Sequence, residues 1–417
     1  MATSDLFLAR LQRAKTASRR LGTATTDEKN RALEAIAQTI ETNIPEIVAE
    51  NTKDLDRGRE QGIGDGLLDR LRLDEDRLKG LAAAVREIIA LPDPVGEIVR
   101  GSTLANGIRI SQVRVPFGVV GAIYEARPNV TVDIAAIALK SGNGAVLRGG
   151  SAAASSNEVL VRLIQQAITA SGLDGDVVQT IDEFGREGAN RLMRARGFID
   201  VLIPRGSAGL ISTVVQESTV PVIETGAGVV HVYVDASADE DMAVEIVRNA
   251  KTHRPSVCNA AETLLVHRDA AERMLPRILS SLAESGVSLL GDDRAIAAND
   301  VVTAADDATW ETEHHSLTMG VRVVDSLDEA IEHIERYSTR HTEVIVTSDI
   351  ASADRFLAEI DAAVVMVNAS SRFTDGGEFG FGAEVGISTQ KMHARGPMGL
   401  PELTSTKWLV RGAGQIR

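Results

Sequence analysis

Val119-Val-Gly-Ala-Ile-Tyr-Glu-Ala-Arg-Pro-Asn-Val-Thr-Val-Asp-Ile-Ala-Ala-Ile-Ala-Leu139, followed by Ala145-Val-Leu-Arg148, sets the fold class of this chain. Val119 to Glu125 is a short apolar run rich in β-branched residues, and Pro128 ends it, so it reads as a buried strand. Val130 to Leu139 is apolar over a helical length, and Ala145 to Arg148 is a second short strand. The alternation continues with helix Ser155 to Ala170, strand Val177 to Ile181, helix Gly185 to Arg196, strand Val201 to Pro204, helix Ala208 to Gln216, and strands near Val220 and Val230. Strands separated by helices of this length predict right-handed crossovers in a parallel, doubly wound sheet. No G-x-G-x-x-G opens any of these helices, so a dinucleotide has to be held in another way.

Downstream the pattern repeats. Helix Asp241 to Asn249, strand Thr263 to Val266, helix Ala271 to Ser285, strand Val321 to Val324, helix Leu327 to Arg336, strand Glu343 to Thr347, helix Ser352 to Ile360 and strand Ala363 to Asn368 predict a second α/β unit. Two such units imply a cleft. Upstream, residues 4–90 have helical periodicity with few Gly or Pro, and Thr25 with Glu28 has the spacing of a capping box. Between these lies Ile108-Arg-Ile-Ser-Gln-Val-Arg-Val115, which with Glu97 to Arg100 and the turn pair Asn106-Gly107 predicts a hairpin. A Gly-rich loop, Asp375 to Gly386, and a polar tail, Thr404 to Arg417, complete the sequence.

Composition narrows the function classes. The 417 residues are 44% hydrophobic and 25% charged, as in ordinary globular proteins, and contain one cysteine. A single cysteine allows no internal disulfide and no thiolate metal cluster, which makes the cytoplasm the expected compartment. No run approaches the ~18 apolar residues of a membrane span, and the amino-terminal segment has no apolar core of a signal peptide. The formal charge of −15 disfavours nucleic acid and anionic membranes as partners. None of the histidines has metal-ligand spacing, so no metal is expected.

That cysteine lies in Arg254-Pro-Ser-Val-Cys-Asn-Ala-Ala-Glu-Thr-Leu-Leu-Val-His267. A thiolate is the strongest nucleophile a side chain offers near neutral pH, and the small residues after Cys258 are suited to opening a helix whose amino end would activate it. Glu262 to His267 reads as a buried strand. A lone cysteine is equally at home as inert packing, and the residues of this stretch alone leave both readings open.

Four stretches carry a resemblance: Pro116 to Val130, Val146-Leu-Arg-Gly-Gly150, the Cys258 stretch and Gly396-Pro-Met-Gly-Leu400. Together they resemble the aldehyde dehydrogenase superfamily. Val324 to Ile345 resembles the signature of its γ-glutamyl phosphate reductase family, and Glu378 to Thr389 agrees. The resemblance implies an aldehyde-dehydrogenase-like α/β fold: two doubly wound parallel-sheet domains with a small β oligomerisation flap. Expected boundaries are 1–232, with 371–403 returning to it, for an NADP-binding domain; 233–370 for a catalytic domain; and 97–115 with 404–417 for the flap.

The resemblance also implies roles. Cys258 would be the nucleophile, and Asn129 a donor to the substrate carbonyl oxygen, where charge builds as sulfur attacks; as a plain residue Asn129 is a helix cap. Arg148, Gly149 and Ser151 fall where the superfamily holds the adenosine ribose. Arg148 with Ser151, in place of a glutamate, would accept a 2′-phosphate, which favours NADP(H) over NAD. Gly206 and Ser207 would offer N–H groups to a pyrophosphate, or form a plain strand-to-helix loop. Glu313 falls at the nicotinamide ribose position, although His314-His315 departs from the usual Phe-Gly after it. Glu224 matches a glutamate that activates water elsewhere in the superfamily, and a structural role suits it as well. Arg127, Ser338, Thr339, His341 and Thr342 are the expected substrate contacts, the last four otherwise reading as a polar helix-to-strand connection.

The implied reaction is NADPH-dependent reduction of L-glutamyl 5-phosphate to L-glutamate 5-semialdehyde through a Cys258 thioester, in proline biosynthesis. Its implied partners are a separate glutamate kinase and a second copy of the chain. An oxidising aldehyde dehydrogenase and a cysteine acyl hydrolase are the alternatives; the second lacks a base motif near Cys258.

Overall fold

The computed structural model describes residues 3–382 and 384–417, so Met1, Ala2 and Ala383, the last within the Gly-rich stretch, lie outside the described residues. The described chain forms two compact units. The first comprises residues up to Thr225 with Gly380–Gly386 and Met398–Arg417; the second comprises Gly226–Phe379 and Ile387–Pro397.

The first unit opens with helices α1 (Thr3–Leu21), α2 (Thr26–Thr42), α3 (Ile44–Glu60), α4 (Asp65–Leu71) and α5 (Glu75–Ala90). The expected capping box is present: Thr25 Oγ1 accepts from Glu28 N, and the Glu28 carboxylate accepts from Thr25 N at 2.7 Å. Strands β1 (Ile98–Thr103) and β2 (Arg109–Pro116) form the hairpin, turned at Gly107 with φ +85°, a conformation that glycine adopts without a steric penalty. Next come β3 (Val119–Tyr124), α6 (Asn129–Lys140), β4 (Gly144–Arg148), α7 (Ala154–Ala170), β5 (Val178–Thr180), α8 (Gly185–Met193), β6 (Val201–Arg205) and α9 (Ala208–Glu217). The sheet is parallel, in the order β5-β4-β3-β6. Chain direction across it reverses at β3, which makes the carboxyl ends of β3 and β6 the position where such folds take ligands. The strand expected near Val220 is absent; that segment makes only a single bridge, from Val222 to Leu202.

The second unit contains β7 (Val230–Val234), α10 (Glu240–Thr252), β8 (Ala261–His267), α11 (Arg268–Glu284), β9 (Ser288–Gly291), α12 (Asp293–Ala298), β10 (Val302–Ala304), α13 (Asp307–Glu311), β11 (Thr318–Val324), α14 (Leu327–Tyr337), β12 (Thr342–Val346), α15 (Ile350–Glu359) and β13 (Val364–Val367). Its parallel sheet has the order β10-β9-β11-β8-β7-β12-β13. Both faces are covered by helices, which explains the burial of β7 and β12 along their whole length and of β8 up to Val266. The segment 288–311, with β9, α12, β10 and α13, was not expected from the sequence.

The short strands β14 (Gly386–Ser388) and β15 (Gly396–Met398) pair where the chain passes between units, and β16 (Thr404–Arg411) ends the fold. β16 pairs antiparallel with β2, giving a three-stranded flap in the order β1-β2-β16.

The expected boundary at 232/233 moves to 225/226, because β7 pairs with β8 and β12 and carries the preceding residues with it. The return expected at 371 begins at Gly380, since Ser371 and Thr374 are hydrogen-bonded to Asn259 and Thr342 of the second unit.

Candidate active site

In the first unit the chain leaves β3 through Glu125 and Arg127 and enters α6 at Asn129. Asn129 is half-buried, and its Nδ2 donates to Asp133 Oδ2 at 3.0 Å, one helical turn on. One of its two amide N–H groups is thereby fixed, orienting the side chain and leaving the other to donate. Burial raises the Asp133 pKa to about 6, against the Asn129 hydrogen bond and the Arg205 charge. Asp133, which orients the Asn129 side chain, was missed in the sequence reading; the i, i+4 spacing from Asn129 was its only signal.

At the end of β4, Arg148 is half-buried and its Nε donates to Gly185 O at 3.4 Å. Gly149 N donates to Asp182 Oδ1 at 2.7 Å, and Asn157 Nδ2 donates to the other Asp182 oxygen at 3.1 Å. Asn157 also accepts from Thr131, which meets the Tyr124 hydroxyl at 2.6 Å. Burial pushes the Asp182 and Tyr124 pKa values up, so this network beneath the loop is tightly specified. A Cβ at Gly149 would stand 2.0 Å from Asn157 Nδ2, which excludes any larger residue. Ser151 is exposed at the loop's far side. The rim therefore presents the Arg148 guanidinium and the Ser151 hydroxyl, with no carboxylate at position 151.

The start of α9 departs from expectation. Ser207 N and Oγ both donate to the Glu125 carboxylate, at 2.8 and 3.0 Å. The anion at this helix start is therefore the protein's own, and it lies close over Gly206, where a Cβ would stand 2.6 Å from Glu125 Oε2. The exposed Glu125 has to swing aside before Gly206 and Ser207 can hold a pyrophosphate. Glu224 is half-buried just before the unit boundary.

In the second unit the chemistry-bearing loops lie at the amino ends of β7, β8, β11 and β12. Cys258 is partly exposed in a turn, and the small residues after it lead into β8. The expectation that they open a helix is corrected: they form turns that run directly into β8. The turn is clasped at both ends. Lys251, in the last turn of α10, and Glu262, in β8, pair at 2.6 Å with both side chains buried. Burial drives both toward neutrality, Lys251 downward and Glu262 up to about 7, so each needs the other.

Gly228 was also missed. A Cβ there would stand 1.5 Å from Cys258 O and 2.9 Å from Cys258 Cα, so the chain before β7 lies directly against the cysteine backbone. Gly228 N donates to Glu313 Oε1 at 2.9 Å, and the other Glu313 oxygen meets His315 Nε2 at 3.2 Å. Although burial opposes it, these hydrogen bonds lower the Glu313 pKa and keep it ionised. Glu313, expected on a ribose, thus braces the strand that supports Cys258. Only the tertiary fold reveals this, since the partners are 85 residues apart.

The expected substrate loop turns largely inward. Thr339 Oγ1 accepts from Val229 N at 3.0 Å, and Ser338 Oγ donates to Glu343. His341 and Thr342 have no exposed surface; His341 Nδ1 meets Thr342 Oγ1 at 2.8 Å, and Thr342 Oγ1 donates to Thr374 Oγ1 at 3.0 Å. Burial depresses the His341 pKa to about 4 and keeps it neutral. The expectation that His341 and Thr342 grip the substrate is corrected, because their side chains are sealed inside the unit at the head of β12. Arg127, in the first unit, is exposed. Among the described residues no cluster of His, Cys, Asp and Glu is arranged to hold a metal, and no helix is long and apolar enough to cross a membrane.

Comparison with known proteins agrees with this architecture. The aldehyde dehydrogenase family profile matches residues 1–312. The chain is 64% identical to a γ-glutamyl phosphate reductase from Leifsonia xyli over 416 residues, covering 100% of this chain and 99% of that protein. It is 62% identical to a γ-glutamyl phosphate reductase from Clavibacter michiganensis, covering 98% and 94% of the two chains. The solved structure of a γ-glutamyl phosphate reductase from Thermotoga maritima superposes with a TM-score of 0.96 at 45% identity over 99% of both chains. The chain therefore belongs to the aldehyde dehydrogenase family, among its γ-glutamyl phosphate reductases.

Proposed function

We propose that this protein reduces L-glutamyl 5-phosphate to L-glutamate 5-semialdehyde with NADPH, releasing phosphate, and that Cys258 carries the acyl group. The observation that carries this reading is the partly exposed Cys258, its backbone braced by Gly228, in a chain 64% identical along its whole length to a protein of that name. In the first step the Cys258 thiolate attacks the acyl carbon; a C–S bond forms, the C–O bond to phosphate breaks, and phosphate leaves with the electron pair. The free amide N–H of Asn129 and the Cys258 backbone N–H are the proposed donors to the carbonyl oxygen. The nicotinamide cofactor, when bound, supplies the hydride that reduces the thioester. Arg148 and Ser151 would hold its 2′-phosphate, beside the close approach that Gly149 permits, and Gly206 and Ser207 would hold its pyrophosphate once Glu125 moves. Ser338 and Thr339, half-buried, and Arg127, exposed, are the loop residues left to meet the substrate.

The acyl phosphate has to be made by a separate glutamate kinase, and the semialdehyde closes to pyrroline-5-carboxylate on the route to proline. With one cysteine in the chain, the cytoplasm suits it. We also read it as a homodimer joined through the flap. β1 is exposed along its whole length, Ile98, Val99, Trp408 and Val410 are exposed, and the outer edges of β1 and β16 have no partner strand among the described residues.

The test is a kinase-coupled assay in which phosphate release and NADPH oxidation are both counted. The expected result is one phosphate per NADPH for the parent, and no turnover by Cys258→Ala, which still binds NADPH. NADPH oxidation without phosphate release, or more than trace activity in Cys258→Ala, overturns the reading.

A further inference from the structure

Arg372 stands out in the second unit as a cation without a counter-ion. Its Nε is buried without a hydrogen-bond partner, and its guanidinium has no ion-pair partner among the described residues. Its backbone is nevertheless held firmly beside the cysteine. Asn259, the residue after Cys258, donates Nδ2 to Thr374 O at 2.8 Å and to Arg372 O at 3.4 Å. Ser371 Oγ donates back to Asn259 O at 2.6 Å, and Arg372 N donates to Ser370 Oγ at 3.3 Å. Four hydrogen bonds thus fix where the guanidinium starts.

The charges around it are mixed. Burial lowers the Arg372 pKa, Asp375 raises it, Arg254 lowers it, and the Cys258 and Glu378 charges raise it. Asp375 does not pair with it, since Asp375 Oδ1 accepts Gly377 N at 2.8 Å in its own turn. An arginine kept partly desolvated, short of partners and within the field of the thiol is arranged for an anion that arrives from outside.

We propose that Arg372, assisted by the exposed Arg254, binds the phosphoryl group of the substrate at Cys258. This rests on the acyl-phosphate reading above and goes beyond it by assigning the leaving-group site. The geometry of the substrate decides between its two anions: one bridging oxygen separates the phosphorus from the carbon that sulfur attacks, whereas the α-carboxylate is four carbons away. A cation anchored beside the residue after Cys258, and within the field of its sulfur, is therefore placed for the phosphate. As the C–O bond breaks, the electron pair moves onto the phosphate oxygen, and the guanidinium stabilises that added charge. No other reactant is needed.

The experiment runs the reaction backwards, oxidising L-glutamate 5-semialdehyde with NADP and inorganic phosphate. Arg372→Gln should raise KM for phosphate roughly 10–150-fold, the loss expected for one charge-assisted hydrogen-bond set, with KM for the semialdehyde nearly unchanged. Arg372→Lys keeps the charge without the fork and should fall between parent and Gln. Arg254→Gln, at an exposed position where folding is not at risk, should give a smaller rise. Without turnover, phosphate should protect Cys258 of the parent from iodoacetamide and fail to protect Arg372→Gln. An unchanged phosphate KM with intact protection overturns the assignment, as does a rise confined to the semialdehyde KM, which would hand Arg372 to the α-carboxylate. A parent that oxidises the semialdehyde without phosphate refutes the acyl-phosphate reading itself.

Discussion

Gly228→Ala should cripple this enzyme with a single methyl group. The new Cβ would begin 1.5 Å from Cys258 O, and ordinary contact starts at 3.4 Å, so the two backbones must separate by about 1.9 Å (3.4 minus 1.5). Neither side yields easily. Gly228 is tethered through its N–H to Glu313, and the Cys258 turn is clasped by the Lys251–Glu262 pair. A displacement of about 1 Å at a reacting group costs ~10²-fold in rate, so kcat should fall at least that far. Overpacking should remove ~1–3 kcal/mol of stability. Steady-state kinetics and thermal melting measure both. Gly80→Ala is the control: it lies in α5 with open space around its Cβ, and removing a helical glycine should leave activity unchanged and add ~0.5–1 kcal/mol of stability. Parental kcat and melting temperature in Gly228→Ala would refute the idea that this contact holds Cys258 in place.

Cofactor choice offers a second test: NADPH should be preferred over NADH in kcat/KM, and Ser151→Glu should narrow or invert the preference, while equal use by the parent would defeat the Arg148–Ser151 argument. Glu125→Gln removes the charge that occupies the start of α9, so KM for NADPH should drop several-fold; a rise would mean that Glu125 helps to bind the cofactor. Acid should destabilise the fold through His333 and His341, whose pKa values fall from 6.5 to about 2 and about 4 on burial. Below pH 6.5 the unfolded chain takes up protons that the folded one refuses, so stability is level above 6.5 and lost below it. At pH 5 the loss should be ~2 kcal/mol for each histidine, and melting temperatures equal at pH 5 and pH 7.5 would contradict it. Deleting residues 404–417 removes β16 and uncovers β2; light scattering should then report monomers, and an unchanged assembly would remove the tail from the interface.

The α/β class, the helical amino-terminal layer, the hairpin and the capping box at Thr25 were all legible in the sequence, because each depends on residues within a few positions of one another. Cys258 and Asn129 could be picked out for the same reason, as members of short contiguous stretches. Strands β9 and β10 escaped notice because runs of four and three residues carry too little periodicity to declare themselves. Val220 to Ile223 is as apolar as a strand, yet it makes only one bridge, since the edge of β6 rather than local preference decided its pairing. What surrounds Cys258 was decided by the tertiary structure alone. Gly228 and Glu313 meet across 85 residues, and Asn259 is tied to Thr374 across 115; in the first unit, by the same rule, Glu125 caps a helix 82 residues away. No local pattern encodes such meetings; they arise when the crossovers set the carboxyl ends of β3 and β6 side by side in the first unit, and the amino ends of β7, β8, β11 and β12 side by side in the second. Burial likewise explains why only part of the polar run Ser338 to Glu343 stayed a loop: Ser338 to Arg340 keep some exposure, whereas His341 to Glu343 became the sealed head of a central strand, where His341 and Glu343 are ordered by hydrogen bonds within their own unit.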